Sequence, residues 1–320
     1  MMELPSFRVA RYRFDLEAID PLHLPLYKGS TFRGGFGYAF KKMVCSQPNW
    51  RTCNPCVRGN DCPYGYIFET TVPADSEVLR SLRELPVPFI LEPPVDDKRF
   101  YQPGERLSFD LVLIGRAINY LPYFLLAFQE VGRNGIGNPR GRYILHRILN
   151  LHPWRSTSEL VYDGVEIRVG GRDLSISNID VLQRSEEVAT NQLVLHFLTP
   201  TRLKYRKEIV DFPEFHILIR NLTRRLSSLA YFHCGDLWNT DFRGLNEEAG
   251  RVQASRNGVK WLDWERYSGR QNKRINLGGF AGEVTYDGDL ETFIPLLITG
   301  EIVHVGKGTV FGNGMYRIML

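Results

Sequence analysis

The sequence predicts an α+β chain of two βαββαβ units in tandem, joined by a polar linker. Three observations predict it. The order strand, helix, strand, strand, helix, strand is read twice along 320 residues. In both copies the second helix runs through a glycine-rich segment into the last strand. A chain of this length that is 43% hydrophobic also buries enough surface for two cores. The first copy covers residues 1–170, the linker 171–190 and the second copy 191–320, and a βαββαβ order is that of a ferredoxin-like (RRM-like) unit.

Each element has its own signal. From Arg8 to Ile19 apolar and polar residues alternate, as in a strand with one buried face. Ser30 is placed to cap a helix in which Phe32, Phe36, Phe40 and Met43 recur at three- and four-residue spacing. PVPFILEPP and RLSFDLVLIG read as two strands around the turn QPGE, and a second apolar helix, about Tyr120 to Val131, leads into GRNGIGNPRGRYIL. Residues 171–190 are polar with few aromatics. The second copy then opens with the strand NQLVLHFLTP, a basic loop TRLKYRKEIVD, and a helix with Phe215, Leu218, Leu222, Leu226 and Leu229 on one face. Two strands, about Gly258 to Tyr267 and Gly279 to Tyr286, flank SGRQNKRINLG, and LETFIPLLITG is the last helix.

A net charge of +4 excludes a histone-like polycation and an acidic tail. No stretch approaches the roughly 20 apolar residues that cross a bilayer. MMELPSFRVARYRF lacks the apolar run of a secretory signal, so the expectation is a soluble cytoplasmic protein with no membrane partner. Four of the five cysteines, Cys45, Cys53, Cys56 and Cys62, share one window with gaps of seven, two and five residues. Without a signal peptide this clustering favours a metal over disulfides. Four thiolates close a tetrahedral zinc site, structural because no position is left for a substrate water, and an iron–sulfur cluster takes the same ligands. The window thus predicts a metal-binding insertion in the first unit, with unligated or disulfide-paired thiols as the plainer alternative.

Successive glycines let peptide N–H groups face a phosphate with no Cβ in the way. Gly132, Gly135, Gly137 and Gly141 precede Tyr143, and Gly306, Gly308, Gly312 and Gly314 precede Tyr316. Arg133, Arg140, Arg142 and Lys307 add charge nearby. Neither segment is a nucleotide-binding loop, since both join a helix to a strand and neither contains GxxxxGK[ST]. A nucleic-acid backbone is the better ligand, and a tight packing turn is the plain alternative.

GSTFRGGFGYAF, the cysteine window ending in CPYGYIFE, FLTPTRLK and above all HVGKGTVFGNGMYRI resemble the CRISPR repeat-RNA-processing endoribonucleases of the RAMP superfamily, over almost the whole chain. The resemblance implies tandem ferredoxin-like domains that bind the repeat of a CRISPR precursor transcript and cut it without a catalytic metal, yielding guide crRNAs for an interference complex. In that reaction the ribose 2′-OH attacks the adjacent phosphate, leaving a 2′,3′-cyclic phosphate and a 5′-OH. The protein supplies a base, an acid and positive charge.

His23, with Tyr27 and Lys28 beside it, lies between the first strand and first helix, where the resemblance places the active site. His146 and His196 fall in strands and read as sheet residues, while His304 precedes the last glycine loop and is placed to meet RNA. Family members often carry a histidine in or just after the first helix; this chain has Tyr38 there. The catalytic candidates are therefore His23, Tyr38 and Lys28. The RNA-binding candidates are Arg33, Lys41 and Lys42 on the first helix, Lys204, Arg206 and Lys207 in the basic loop, Arg224 and Arg225 on the following helix, Arg270, Lys273 and Arg274 in the hairpin loop, and Gly306, Lys307, Gly308, Gly312 and Gly314. Tyr205 and Tyr267 are placed to stack on bases. Two alternatives stand beside the enzyme: a non-catalytic RNA-binding subunit of an interference complex, and a metal-stabilised RNA-binding protein outside CRISPR systems.

Overall fold

The computed structural model describes residues 4–47, 49–50, 61–72, 85–168, 170–188, 191–268 and 273–319, with the backbone alone for 265–268 and 273–275. The chain divides into two compact units. One comprises Arg8–Ser175 with Phe232–Cys234; the other comprises Met1–Phe7, Ile176–Tyr231 and Gly235–Leu320. Among the described residues no helix is long and apolar enough to cross a membrane.

The N-terminal unit contains β1 (Arg8–Ala18), α1 (Gly29–Val44), α2 (Pro63–Phe68), β2 (Phe89–Glu92), β3 (Arg106–Ile114), α3 (Leu121–Asn134), β4 (Tyr143–Leu151) and β5 (Ser158–Tyr162). Its strands lie in the order β2-β3-β1-β4-β5, all neighbours antiparallel. With β5 set aside, this is the strand order of a βαββαβ unit, the first strand sitting between the third and fourth. The period-2 pattern of β1 sends Tyr12, Phe14 and Leu16 into the core. There the helices meet them with phenylalanines: Phe36 of α1 stacks on Phe128 of α3 at 5.0 Å, and Phe14 on Phe109 of β3, also at 5.0 Å. The intervening β1 residues form a charged ladder, in which Arg11 and Arg13 both reach the Asp110 carboxylate, at 3.0 and 2.8 Å.

The C-terminal unit contains α4 (Asn178–Ser185), β6 (Gln192–Thr201), α5 (Phe215–Leu229), α6 (Phe242–Ala249), β7 (Gln253–Asn257), β8 (Lys260–Leu262), β9 (Gly279–Asp287), α7 (Ile294–Val303) and β10 (Tyr316–Met319). The order β7-β9-β6-β10, again antiparallel, repeats that of the first unit, with β8 also pairing β9. The expected apolar face of α5 is buried at all five positions, Phe215, Leu218, Leu222, Leu226 and Leu229.

Several local expectations differ from the structure. The first helix starts at Gly29, with Lys28 rather than Ser30 at its cap and no side-chain cap bond. Met43 lies off the buried face, 39% exposed. Within the expected linker, Asn178–Ser185 is helical, because the Ser177 N–H donates to the Asp180 carboxylate at 2.9 Å and starts a turn. The single strand expected from Gly258 to Tyr267 is broken into Lys260–Leu262 and Glu265–Ser268, preceded by Gln253–Asn257. The basic loop is a β-hairpin, Leu203–Tyr205 paired with Glu208–Val210.

Candidate functional site

The two units place their glycine-rich segments by the same contacts. Each last strand opens with a buried tyrosine whose hydroxyl donates to a carbonyl of the second helix: Tyr143 to Phe128 at 2.8 Å, Tyr316 to Leu297 at 2.7 Å. Each ring lies over a helix glycine, Gly132 or Gly300, where a Cβ would fall less than 3.0 Å from the tyrosine. Gly137 and Gly306 share a φ of +86°, which favours glycine. Their successors then make matching bonds. The Asn138 N–H donates to the His23 carbonyl at 3.1 Å, and the Lys307 N–H to the Arg202 carbonyl at 3.0 Å. The loops close alike, Ile136 N–H to Gly141 O at 2.9 Å and Val305 N–H to Gly314 O at 3.1 Å. His23 and Arg202 therefore hold equivalent places, each under a glycine whose Cβ would strike its carbonyl.

This arrangement changes how the C-terminal glycine loop works. The N–H groups of Val305, Lys307, Phe311, Gly312, Gly314 and Met315 all donate to protein acceptors, Met315 to the Thr199 hydroxyl at 3.0 Å. These six N–H groups are therefore not free to face a phosphate. The glycines serve positive φ at Gly306, Gly308, Gly312 and Gly314 and close docking on the end of β6. The Lys307 side chain is exposed at the rim of the loop. His304, expected at an RNA contact, is fully buried at φ +56°, its Nδ1 3.1 Å from the Asn313 carbonyl.

Around His23, the imidazole stacks on Phe100 at 4.3 Å, in a short ladder where Leu22 pairs Tyr101 and His23 pairs Phe100. The ring is half-buried and its backbone is pinned by Asn138, so it is held on one face and reachable on the other. Beside it, Arg142 donates to Asp20 at 2.7 Å and holds that carboxyl below its ordinary range. Lys28 differs from expectation. Its side chain is fully buried, and its ammonium donates to the Asp96 carboxylate at 3.0 Å and the Asp96 carbonyl at 3.1 Å. A lysine so committed anchors the start of α1 rather than waiting for a substrate. Tyr38 is 55% exposed, with its ring 5.3 Å from Trp50, and among the described residues no ring contact or hydrogen bond joins it to His23.

The basic candidates separate into spent and available charges. The Arg33 guanidinium lies over the Phe68 ring at 4.4 Å, packed across Gly37. Lys41 sits over Tyr64 at 5.0 Å and Lys42 pairs Glu130 at 3.1 Å, both in the last turn of α1 where the helix dipole favours cations. Lys204, Arg206, Lys207 and Arg224 are exposed. Arg206 and Lys207 form the two-residue turn of the hairpin with φ of +47° and +76°, a conformation that asparagine and glycine normally supply. Two cations are held there at a strain cost and exposed, with Arg206 over the Tyr205 ring at 5.2 Å. Arg225 is different: its Nε donates to the Val303 carbonyl at 2.8 Å, its Nη2 is buried without a partner among the described residues, and burial pushes the guanidinium down to about 9. Lys273 and Arg274 lie on a hairpin strand, Lys273–Asn276, and Arg270 lies outside the described residues.

Of the four window cysteines, Cys45 follows α1 and is half-buried, and Cys62 precedes α2 and is buried, neither in a disulfide among the described residues; Cys53 and Cys56 lie outside the described residues. Among the described residues no three His, Cys, Asp or Glu side chains gather as a metal site. Sequence reasoning missed Phe100, Asn138, Asp96 and Arg202. Of these, only the Asn138 contact has a signal in the sequence, the repeat of glycine spacing.

The comparisons agree with this geometry. Residues 7–173 match a family described as the AF_1859_N N-terminal domain, and residues 195–316 match the family of the CRISPR-associated endoribonuclease Cas6. An uncharacterized protein of Archaeoglobus fulgidus is 26% identical over 303 residues, 92% of this chain and 93% of that one. Among solved structures, Thermus thermophilus Cas6 is 15% identical with a TM-score of 0.55, covering 98% of this chain and 99% of its own. A partial Cas6-RT-Cas1–Cas2 complex is 11% identical with a TM-score of 0.59, covering 99% of this chain and 46% of its own. Residues 7–173, more than half of the chain, belong to the family of the AF_1859_N N-terminal domain, and residues 195–316 to that of the CRISPR-associated endoribonuclease Cas6.

Proposed function

We propose that the protein binds the repeat of a CRISPR precursor transcript and cleaves it within the strand by attack of a ribose 2′-OH, releasing a 2′,3′-cyclic phosphate and a 5′-OH. His23 carries the proton transfer. It takes the proton from the attacking hydroxyl or gives one to the leaving 5′-oxygen, while cations stabilise the phosphorane. The observation that carries this reading is the placement of His23: the imidazole is stacked on Phe100, and its backbone is clamped by the first glycine loop. A fixed, reachable imidazole suits a reaction in which positioning supplies much of the rate. Lys204, Arg206, Lys207, Arg224 and Lys307 supply exposed charge along the second unit for the RNA backbone.

Structures related to this chain include a Cas6 product complex and Cas6-RT-Cas1–Cas2 complexes, and repeat RNA and assembly with other CRISPR proteins are the partners we assign. The four-cysteine window is assigned a structural zinc, tested by metal analysis of anaerobically purified protein; absence of both zinc and iron removes it. Tandem ferredoxin-like units with residues 171–190 joining them complete the assignment.

A second reading has one observation in its favour. Lys28 is occupied by Asp96 and Tyr38 stands apart, so His23 lacks an evident proton partner, as in a subunit that only holds RNA. Incubating the protein with repeat RNA in EDTA tests both. One cut per repeat indicates the metal-independent enzyme, and tight binding with intact RNA indicates the subunit.

A further inference from the structure

On the N-terminal unit a pocket of about 400 Å³ is lined by Pro63, Tyr66, Arg116, Asn119, Tyr120 and Tyr123. Half of its lining residues are tyrosines. Tyr66 and Tyr120 have ring centroids 5.3 Å apart, and Tyr120 and Tyr123 5.8 Å, so they form a continuous aromatic wall. The volume lies at the low end of the range for small organic ligands, roughly 300–1,000 Å³. Arg116 is exposed yet held: its guanidinium lies 5.1 Å from the Tyr66 ring centroid and donates to the Phe232 carbonyl at 3.3 Å. Behind it, the Tyr66 hydroxyl lies 3.4 Å from His233 Nδ1, whose Nε2 is 2.8 Å from the Pro86 carbonyl. Burial pushes the Tyr66 phenol up to about 12, so it stays neutral at working pH. Tyr123 is 38% exposed at the rim, and Asn119 is exposed, its amide without a hydrogen bond among the described residues.

We propose that this pocket takes an unstacked nucleobase, packed against Tyr123 and Tyr120, with Arg116 engaging its π face or adjoining phosphate and the Asn119 amide reading its polar edge. Aromatic faces with an arginine plane are how proteins hold splayed bases of single strands. An amide supplies the donor and acceptor pair that a base edge presents. Nothing in the pocket is apolar and aliphatic except Pro63, which disfavours a lipid or hydrocarbon ligand. The ligand chemistry, a planar base next to a phosphate, comes either from an RNA strand or from a free mononucleotide, and the RNA source rests on the function proposed above.

The test uses the full-length protein and two variants at exposed positions, Tyr123→Ala and Asn119→Ala. Repeat RNA carrying one abasic nucleotide, walked position by position, is titrated against the parent and both variants. The expected result is one position where loss of the base weakens parent binding about tenfold, the scale of a single stacking contact. Tyr123→Ala should weaken the intact RNA similarly and be insensitive to the abasic change at that position. In a second arm, 5′-AMP is titrated by calorimetry. Binding by the parent that Tyr123→Ala abolishes, with a flat abasic scan, assigns the same pocket to a free nucleotide. The proposal is overturned when no abasic position couples to Tyr123 and 5′-AMP does not bind. A parent that binds no repeat RNA defeats the function proposed above, and the 5′-AMP arm still decides the pocket.

Discussion

Gly306→Ala isolates the physics of the glycine loop. At φ +86° an alanine pays about 1–2 kcal/mol for the left-handed backbone. Its Cβ would also lie less than 3.0 Å from the Arg202 carbonyl oxygen, where ordinary contact begins near 3.4 Å. Both atoms are tied to backbone, so relief requires the loop to lift and break the Lys307 N–H to Arg202 bond, a further 0.5–1.5 kcal/mol or so. The expected total is about 1.5–3.5 kcal/mol. Two controls separate its parts. Gly104, in the turn Gln102–Glu105, has φ +83° with open space around its Cβ position, so Gly104→Ala should cost only the backbone term, about 1–2 kcal/mol. Gly34, inside α1 with nothing near its Cβ position, should gain roughly 0.5–1 kcal/mol as alanine. Gly137→Ala should behave as Gly306→Ala does, because the two loops share φ and docking. Thermal and urea unfolding read all four. A Gly306→Ala protein no less stable than Gly104→Ala would refute the docking argument, and unequal effects at Gly137 and Gly306 would refute the equivalence of the loops.

Other predictions follow from the same contacts. Replacing Arg206 and Lys207 by Asn and Gly suits the hairpin turn and should stabilise the protein by about 1–2 kcal/mol, yet flatten the salt dependence of RNA binding by roughly 0.7 per lost phosphate contact. Stabilisation with an unchanged salt slope would remove these cations from the RNA track. Lys28→Ala should lower stability by about 1–3 kcal/mol through loss of the buried charged hydrogen bonds, while the folded fraction cleaves as the parent does. A cleavage defect at full folding would restore Lys28 to the chemistry. Arg225→Met should be neutral or stabilising by about 1–2 kcal/mol in the free protein, because it removes a buried cation without an acid partner. Folding depresses this base, so its penalty is full below about 9 and fades as pH rises from about 9 toward its ordinary 12.5. The advantage of the variant should therefore shrink between roughly pH 9 and 10.5, and a constant difference would contradict the buried unpaired guanidinium.

The parts of this fold that follow a strong period were legible in the sequence. The alternation of β1 and the leucine face of α5 each state which side is buried, and the spacing of glycines before Tyr143 and Tyr316 revealed the repeat. What escaped was long-range or locally unusual. Lys28 looks like a surface residue because its partner, Asp96, lies on a distant loop. The hairpin at Leu203–Val210 was hidden because its turn carries Arg and Lys where the usual signal is Asn-Gly. His304, beside a glycine loop, looked accessible, yet burial is set by how the loop docks on β6, which spacing does not encode. The glycines themselves were visible, but which acceptors their neighbours' N–H groups would find was not. That distinction decides whether the loop is a phosphate cradle or a packed turn with charge at its rim.

The most direct test of the central claim is single-turnover cleavage of repeat RNA in EDTA by the parent and by His23→Ala, with the new 3′ end identified chemically. The account predicts one cut per repeat, a 2′,3′-cyclic phosphate at the new end, and a rate at least about a hundredfold lower for the variant at unchanged RNA affinity. A variant that cleaves at the parent rate, or a parent that binds the repeat and leaves it intact, would contradict it.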